Sequence, residues 1–172
     1  MQTRRCLTVC LLLTLVGAAC KGKRTGIGGQ GTQRMLSTLA MSDPNAEPQL
    51  LSGFYAVESR AWRWTAGAFS VQLRTPPGAG QRGATLTVAL TISDVVIGKL
   101  TDNQLTASIN GTTLQSQKYD MPGSYFFSAD IPPSMLTADS IKVDFIVDKT
   151  MRVDGDKRDL GFIVKSVSID SK

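Results

Sequence analysis

The feature that most constrains this chain is the run from Ala84 to Ile92, where Leu86, Val88, Leu90 and Ile92 alternate with Thr85, Thr87, Ala89 and Thr91. A period of two sends the aliphatic set to one face and the threonine set to the other, and β-branched residues suit a pleated surface. The stretch is therefore predicted to be a strand with one buried face, and such a strand needs other one-sided strands to cover it. The low-charge run continues to Ile97, with Asp94 expected at a turn or bulge before an extended Val95 to Ile97.

The same period recurs along the chain. Gly53 to Glu58 reads as a strand, Trp62 to Ala66 as a short second one with both tryptophans on one face, and Ala68 to Arg74 as a third. Thr75-Pro76-Pro77-Gly78 ends the third, because proline cannot donate to a ladder. Gln104 to Ile109 and Thr112 to Tyr119 flank Asn110-Gly111, the pair that accepts positive φ at both centres of a type I′ hairpin turn. Asn110-Gly111-Thr112 also spells a glycosylation sequon, but turn chemistry explains it better. Gly123 to Asp130 is extended, with Tyr125 and Phe127 on one face, and Ser134 to Ala138 reads as a helical turn. Ser140 to Val147 alternates, and Leu160 to Ile169 changes phase between Val164 and Val167, which predicts a bulge. Eight or nine strands and no long helix predict an all-β fold: two antiparallel sheets packed as a β-sandwich, jelly-roll-like by strand count.

The N-terminus is a separate object. Arg4 and Arg5 precede an apolar stretch from Leu7 to Val16, too short to span a bilayer, and small residues lead to Cys20. Leu15-Val16-Gly17-Ala18-Ala19-Cys20 resembles the bacterial lipobox, with Gly17 where leucine is usual. The resemblance implies a signal peptide over residues 1–19 and lipidation of Cys20, and Lys21 after it is similar to the outer-membrane sorting pattern. Residues 20–50 are expected to be lipid attachment and flexible linker. The segment from Lys21 to Gln33 is glycine-rich and polar, Met35 to Met41 offers at most a helical turn, and Asp43-Pro44 and Glu47-Pro48 discourage a helix. The folded domain is then 51–172.

The formal charge of +5 sits largely in that leader and linker. From Leu51 onward 13 basic residues face 12 acidic ones, so the domain carries no basic face and nucleic acid is not an expected partner. The basic linker suits either anionic lipid headgroups or simple solubility. Cys6 and Cys10 leave with the leader, Cys20 is committed to lipid, and the chain has no histidine. Disulfides, thiol catalysis and zinc are thus excluded, and serine hydrolysis loses its usual base. The scattered carboxylates show no glycosidase pair, so the chain reads as non-catalytic.

Two clusters are candidate sites. Tyr55, Trp62 and Trp64, with Arg60 and Arg63, could stack on and hydrogen-bond a sugar. The alternative, which the spacing of two favours, packs the tryptophans inward, and Arg60 and Arg63 then serve either a site or a structural ion pair with Glu58. Asp154, Asp156 and Asp159, with Asp148 nearby, form an oxygen-rich loop in which calcium is conceivable. Lys157 and Arg158 compete for those carboxylates, however, and no glutamate closes the loop, so no cofactor is expected.

Gly53-Phe54-Tyr55, Glu58, Arg63-Trp64-Thr65, the Asn110-Gly111 hairpin and Arg158-Asp159-Leu160-Gly161 together resemble small carbohydrate-binding-like β-sandwich domains of bacterial cell-surface and glycan-related proteins, including accessory domains beside glycosyltransferases. The resemblance spans Gly53 to Ile169 and implies a non-catalytic sandwich, without ligand residues to carry over. The expected function is a lipid-anchored module of the bacterial envelope that binds a glycan or envelope polymer. The alternative is an assembly module that binds another envelope protein.

Overall fold

The computed structural model describes residues 34–94, 96 and 102–172. The signal peptide and Cys20 lie outside the described residues. The described residues belong to one compact unit that extends to Lys172.

Nine strands are present among the described residues: β1 (Thr38–Ala40), β2 (Leu50–Glu58), β3 (Trp62–Arg74), β4 (Ala84–Ile92), β5 (Asn103–Ile109), β6 (Thr112–Tyr119), β7 (Gly123–Ile131), β8 (Ser140–Val147) and β9 (Ile163–Ser171). The helical turn α1 (Ala79–Arg82), two 3₁₀ turns, Pro44–Gln49 and Pro133–Met135, and helical backbone at Asp94 and Val96 are also described. All pairings are antiparallel.

The ladder order is β6-β5-β8-β3-β9-β4-β7, with β2 added to β3 and β1 to β9. β3 belongs to both layers. Its residues 68–74 pair with β8, whereas Arg63 and Trp64 pair with Val164 and Ile163 of β9. One layer is β6-β5-β8 with the C-terminal half of β3, and the other is β7-β4-β9 with its N-terminal half. The fold is an all-β antiparallel sandwich of the jelly-roll kind.

The organising strand behaves as its alternation demands. Leu86, Val88, Leu90 and Ile92 are buried, and the threonine face is only half-buried. β5 and β8 repeat the pattern from the other layer, so the apolar rows meet in one continuous core. Phe69 stacks on Phe145 within one layer at 4.6 Å, and Tyr119 of β6 meets Phe162 at the start of β9 edge-on at 5.5 Å. The predicted hairpin is present, with Asn110 at φ 49° and Gly111 at φ 79°. The predicted bulge is present too: Ala89 pairs with Ser166 but Leu90 with Val164, so Lys165 is the extra residue. It lets Val164 and Val167 both face the core.

Four expectations need correction. The two short strands at Trp62–Ala66 and Ala68–Arg74 are one strand, because β3 continues through Gly67 as it passes from one layer to the other. The extended run does not reach Ile97. Asp94 and Val96 are helical after Ile92, whereas Val95 and Ile97 lie outside the described residues. Residues 34–50 are part of the folded unit rather than a tether. Thr38, Leu39 and Ala40 pair with Ser168, Val167 and Ser166, and Leu39, Met41 and Ala46 are fully buried. Finally, the helical turn lies at Pro44–Gln49, over the prolines themselves. Asp43 caps it by accepting from the Asn45 amide at 2.9 Å, and proline at the first helical position has no amide to leave unpaired.

Candidate functional site: an aromatic outer face

In an antiparallel ladder, directly opposed residues point to the same face. The inward phase of β3 is carried by Arg63, Thr65, Phe69, Val71 and Leu73, all buried, so Trp62 and Trp64 belong to the outer phase. Both are half-buried, and their rings meet edge-to-face at 6.1 Å and 87°. Half-burial on the outer phase differs from the full inward packing that the spacing favoured, although Trp64 still rests against the core. A spacing of two places both rings on one face but does not say which.

Trp62 lies opposite Glu58 on β2, where a strap formed by residues 148–162 closes against it. Arg158 anchors the strap, with Nη1 donating to Glu58 Oε1 at 2.7 Å, Nη2 donating to Asp156 Oδ2 at 2.7 Å, and its guanidinium 5.2 Å from the centre of the Tyr55 ring. The Tyr55 hydroxyl donates to the Asp159 carbonyl at 3.1 Å, and Arg152 grips the Asp159 carboxylate through two bonds of 2.6 and 2.9 Å. Hydrogen bonds from Arg158 hold the Asp156 carboxyl below the usual carboxylate range, and those from Arg152 do the same for Asp159. The same bonds raise Arg158 further above its ordinary value. The strap therefore forms a polar wall of fixed charges beside the tryptophans.

The two remaining sequence candidates diverge. Arg60 sits at the tip of the β2–β3 hairpin with Ser59, both at positive φ, is exposed, and has no side-chain partner among the described residues. Arg63 points the other way. It is buried, donates to the carbonyls of Met41 and Tyr55, and pairs with Glu47. It is structural and does not share a face with Trp62 and Trp64. Glu58 pairs with Arg158 and not with Arg60 or Arg63.

The acidic loop does not form an oxygen cage. Asp156 and Asp159 are held by different arginines, Asp148 accepts from the Gln104 amide at 2.7 Å, and Asp154 stands exposed in a turn. Among the described residues no three acidic, cysteine or histidine side chains converge as metal ligands.

Following the registers outward from Trp64 extends the face. Trp64 opposes Ile163, Ile163 opposes Thr91, and Thr91 opposes Ser124, whose hydroxyl lies 3.2 Å from that of Thr91. Two residues along β7, Phe126 is 74% exposed, opposite Ala89, which in turn opposes Ser166. Trp64 and Phe126 thus share one sheet face three strands apart, about 15 Å at ordinary strand spacing. Phe126 is absent from the sequence-derived candidates. The signal was available, since burying Tyr125 and Phe127 on one side of GSYFFSAD obliges Phe126 to face outward.

No protein-family model matches the chain, and no curated protein matches it. Solved structures with a similar fold include a family GH115 4-O-methyl-α-glucuronidase with specificity for decorated arabinogalactans, at 9% identity and a TM-score of 0.50 over 81% of this chain and 18% of that one. An acetyl xylan esterase from the rumen bacterium Butyrivibrio proteoclasticus gives 14% identity and a TM-score of 0.47 over 81% of this chain and 33% of that one. A family 35 carbohydrate-binding module from Clostridium thermocellum gives 8% identity and a TM-score of 0.45 over 78% of this chain and 98% of that one. The chain spans less than a third of the glucuronidase and a third of the esterase, and the first of these likenesses shows the sandwich fold alone.

Proposed function

We propose that the folded unit is a non-catalytic glycan-binding module of the bacterial cell envelope, held to the membrane by lipid on Cys20, at the outer membrane where two membranes are present. The observation that carries the binding reading is the outward-facing pair of Trp62 and Trp64. Both rings are only half-buried, Trp64 resting against the core with part of its surface, and the apolar surface they leave open suits the C–H face of a sugar. Glu58, Arg158 and the free Arg60 supply hydrogen-bonding partners beside them. Thr91, Ser124 and Phe126 continue the platform toward β7, a length suited to an extended oligosaccharide. The face is open, which fits a polymer passing across it better than an enclosed small molecule. No catalytic step is assigned, because the carboxylates nearest the rings, Glu58 and Asp156, are held by Arg158 and the chain has no histidine to act as a base.

Emission from Trp62 and Trp64, the chain's two tryptophans, reports on this face directly. Titration with envelope and plant-type oligosaccharides is expected to give a saturable blue shift and quencher protection with at least one glycan. Trp62→Ala and Trp64→Ala should each weaken it about tenfold, the equivalent of one lost ring stack. Phe126→Ala should weaken binding of trisaccharides and longer chains while sparing disaccharides. Absence of any saturable shift, or unchanged affinity in both tryptophan variants, overturns the reading. That outcome would favour the second one, docking of another envelope protein, to which the exposed Phe126 and Met121 on and just before β7 would lend an apolar contact.

A further inference from the structure

A cleft of about 610 Å³ opens where β3 leaves the sandwich, lined among others by Arg34, Arg74, Pro76, Pro77, Leu136 and Asp139. It is far from the tryptophans, because Arg74 and Trp62 are the two ends of the 13-residue β3. Its walls are fixed by the backbone. The Arg74 amide donates to Leu36 O at 2.9 Å, the Thr75 amide to Asp139 O at 2.8 Å, and the Thr75 hydroxyl to Ala138 O at 2.6 Å. The volume falls within the range of small-ligand sites.

The charged side chains in it are uncommitted. Neither Arg34 nor Arg74 has a hydrogen-bond or ion-pair partner for its guanidinium among the described residues, and neither has Asp139 for its carboxylate. Among the other described arginines, Arg63, Arg82, Arg152 and Arg158 donate to protein oxygens, and Arg60 alone at its hairpin tip does not. Two cations and one anion line one cleft without bridging each other. That arrangement leaves room for a ligand between them.

We infer that this cleft binds a monoanionic, hydroxyl-bearing small molecule of the sugar-acid class. The planar guanidiniums of Arg34 and Arg74 match a carboxylate, which takes paired N–H donors. Asp139 selects the rest of the ligand. It accepts from hydroxyl donors and repels a second negative charge, so a dianionic phosphate is disfavoured. Pro76, Pro77 and Leu136 offer apolar surface for the ring. The site stands independently of the aromatic face.

The test is calorimetric titration of the full chain with sodium D-glucuronate, D-glucose and D-glucose 6-phosphate. Glucuronate is expected to bind saturably, more weakly as salt is raised, with glucose and the phosphate sugar at least about tenfold weaker. Arg74→Gln and Arg34→Gln should each reduce glucuronate affinity about tenfold. Circular dichroism checks the fold of the first, and Arg34, exposed near the start of the described residues, serves as the second variant. Tryptophan emission should not move at saturation, so a failure here is distinguishable from a failure at the aromatic face. Equal binding of glucose, tighter binding of the phosphate sugar, an unchanged affinity in both glutamine variants, a shift in tryptophan emission or no saturable binding would each overturn the inference.

Discussion

Arg63 lies on the core side of β3, where Nε donates to Met41 O at 3.1 Å and Nη1 to Tyr55 O at 3.2 Å. Its partner Glu47 is 61% exposed, so the ion pair itself adds little and the bonds to the two carbonyls matter more. Arg63→Ala is expected to cost roughly 2–3 kcal/mol by urea denaturation, whereas Arg60→Ala should stay within about 0.5 kcal/mol. Tyr119 presents the opposite case. It is 2% exposed, its hydroxyl has no hydrogen-bond partner among the described residues, and burial, with Tyr125 adding to it, pushes its phenol well above the ordinary tyrosine value of 10.0. The unfolded chain releases this proton near pH 10 while the folded chain keeps it, so above that pH the folded state binds more protons and stability falls as pH rises. Denaturation midpoints should be flat in this respect up to about pH 9, then decline. The decline should be shallower in Tyr119→Phe, a variant expected to match or exceed wild-type stability at pH 7 because it removes an unpaired buried hydroxyl.

At the scale of elements, β1 is the strand that sequence patterning could not reveal. Three residues in a segment with little alternation have no strand signal of their own, and they become a strand because β9 offers them an unpaired edge. A fragment starting at Leu51 loses β1 and the buried side chains Leu39, Met41 and Ala46. It should be less stable than one starting at Arg34 by on the order of 5 kcal/mol, measured by urea denaturation. The strap over residues 148–162 is rooted in the core by Met151, Leu160 and Phe162, while the excursion between Met151 and Leu160 is held by charge at Asp156 and Asp159. Asp156 and Asp159 titrate below their ordinary range, so their pairing is complete above the unfolded carboxyl value and is lost as pH falls through the lowered one. Amide exchange in the strap should accelerate below about pH 4 while β4 remains protected. If β4 loses protection in step with the strap, the two do not unfold separately.

For the whole molecule, the proposed anchor and the proposed binding face belong to different parts of the chain. Cys20→Ser is expected to move the protein from the membrane fraction to the soluble one and to abolish incorporation of labelled palmitate, with the tryptophan titration unchanged. Persistence of the variant in the membrane fraction would remove lipid as the attachment. The fold class, β4 residue for residue, the Asn110-Gly111 turn and the bulge at Lys165 were all legible in the sequence. Each rests on local physics: an alternation of period two, a pair that tolerates positive φ, a phase slip within one strand. The outward turn of Trp62 and Trp64, the inward burial of Arg63, the recruitment of β1 and the cleft at Arg74 were not legible. Periodicity says which residues share a face, but which face meets the core is decided by the strands that pair alongside. Those partners lie up to about a hundred residues away, as Glu58 and Arg158 do.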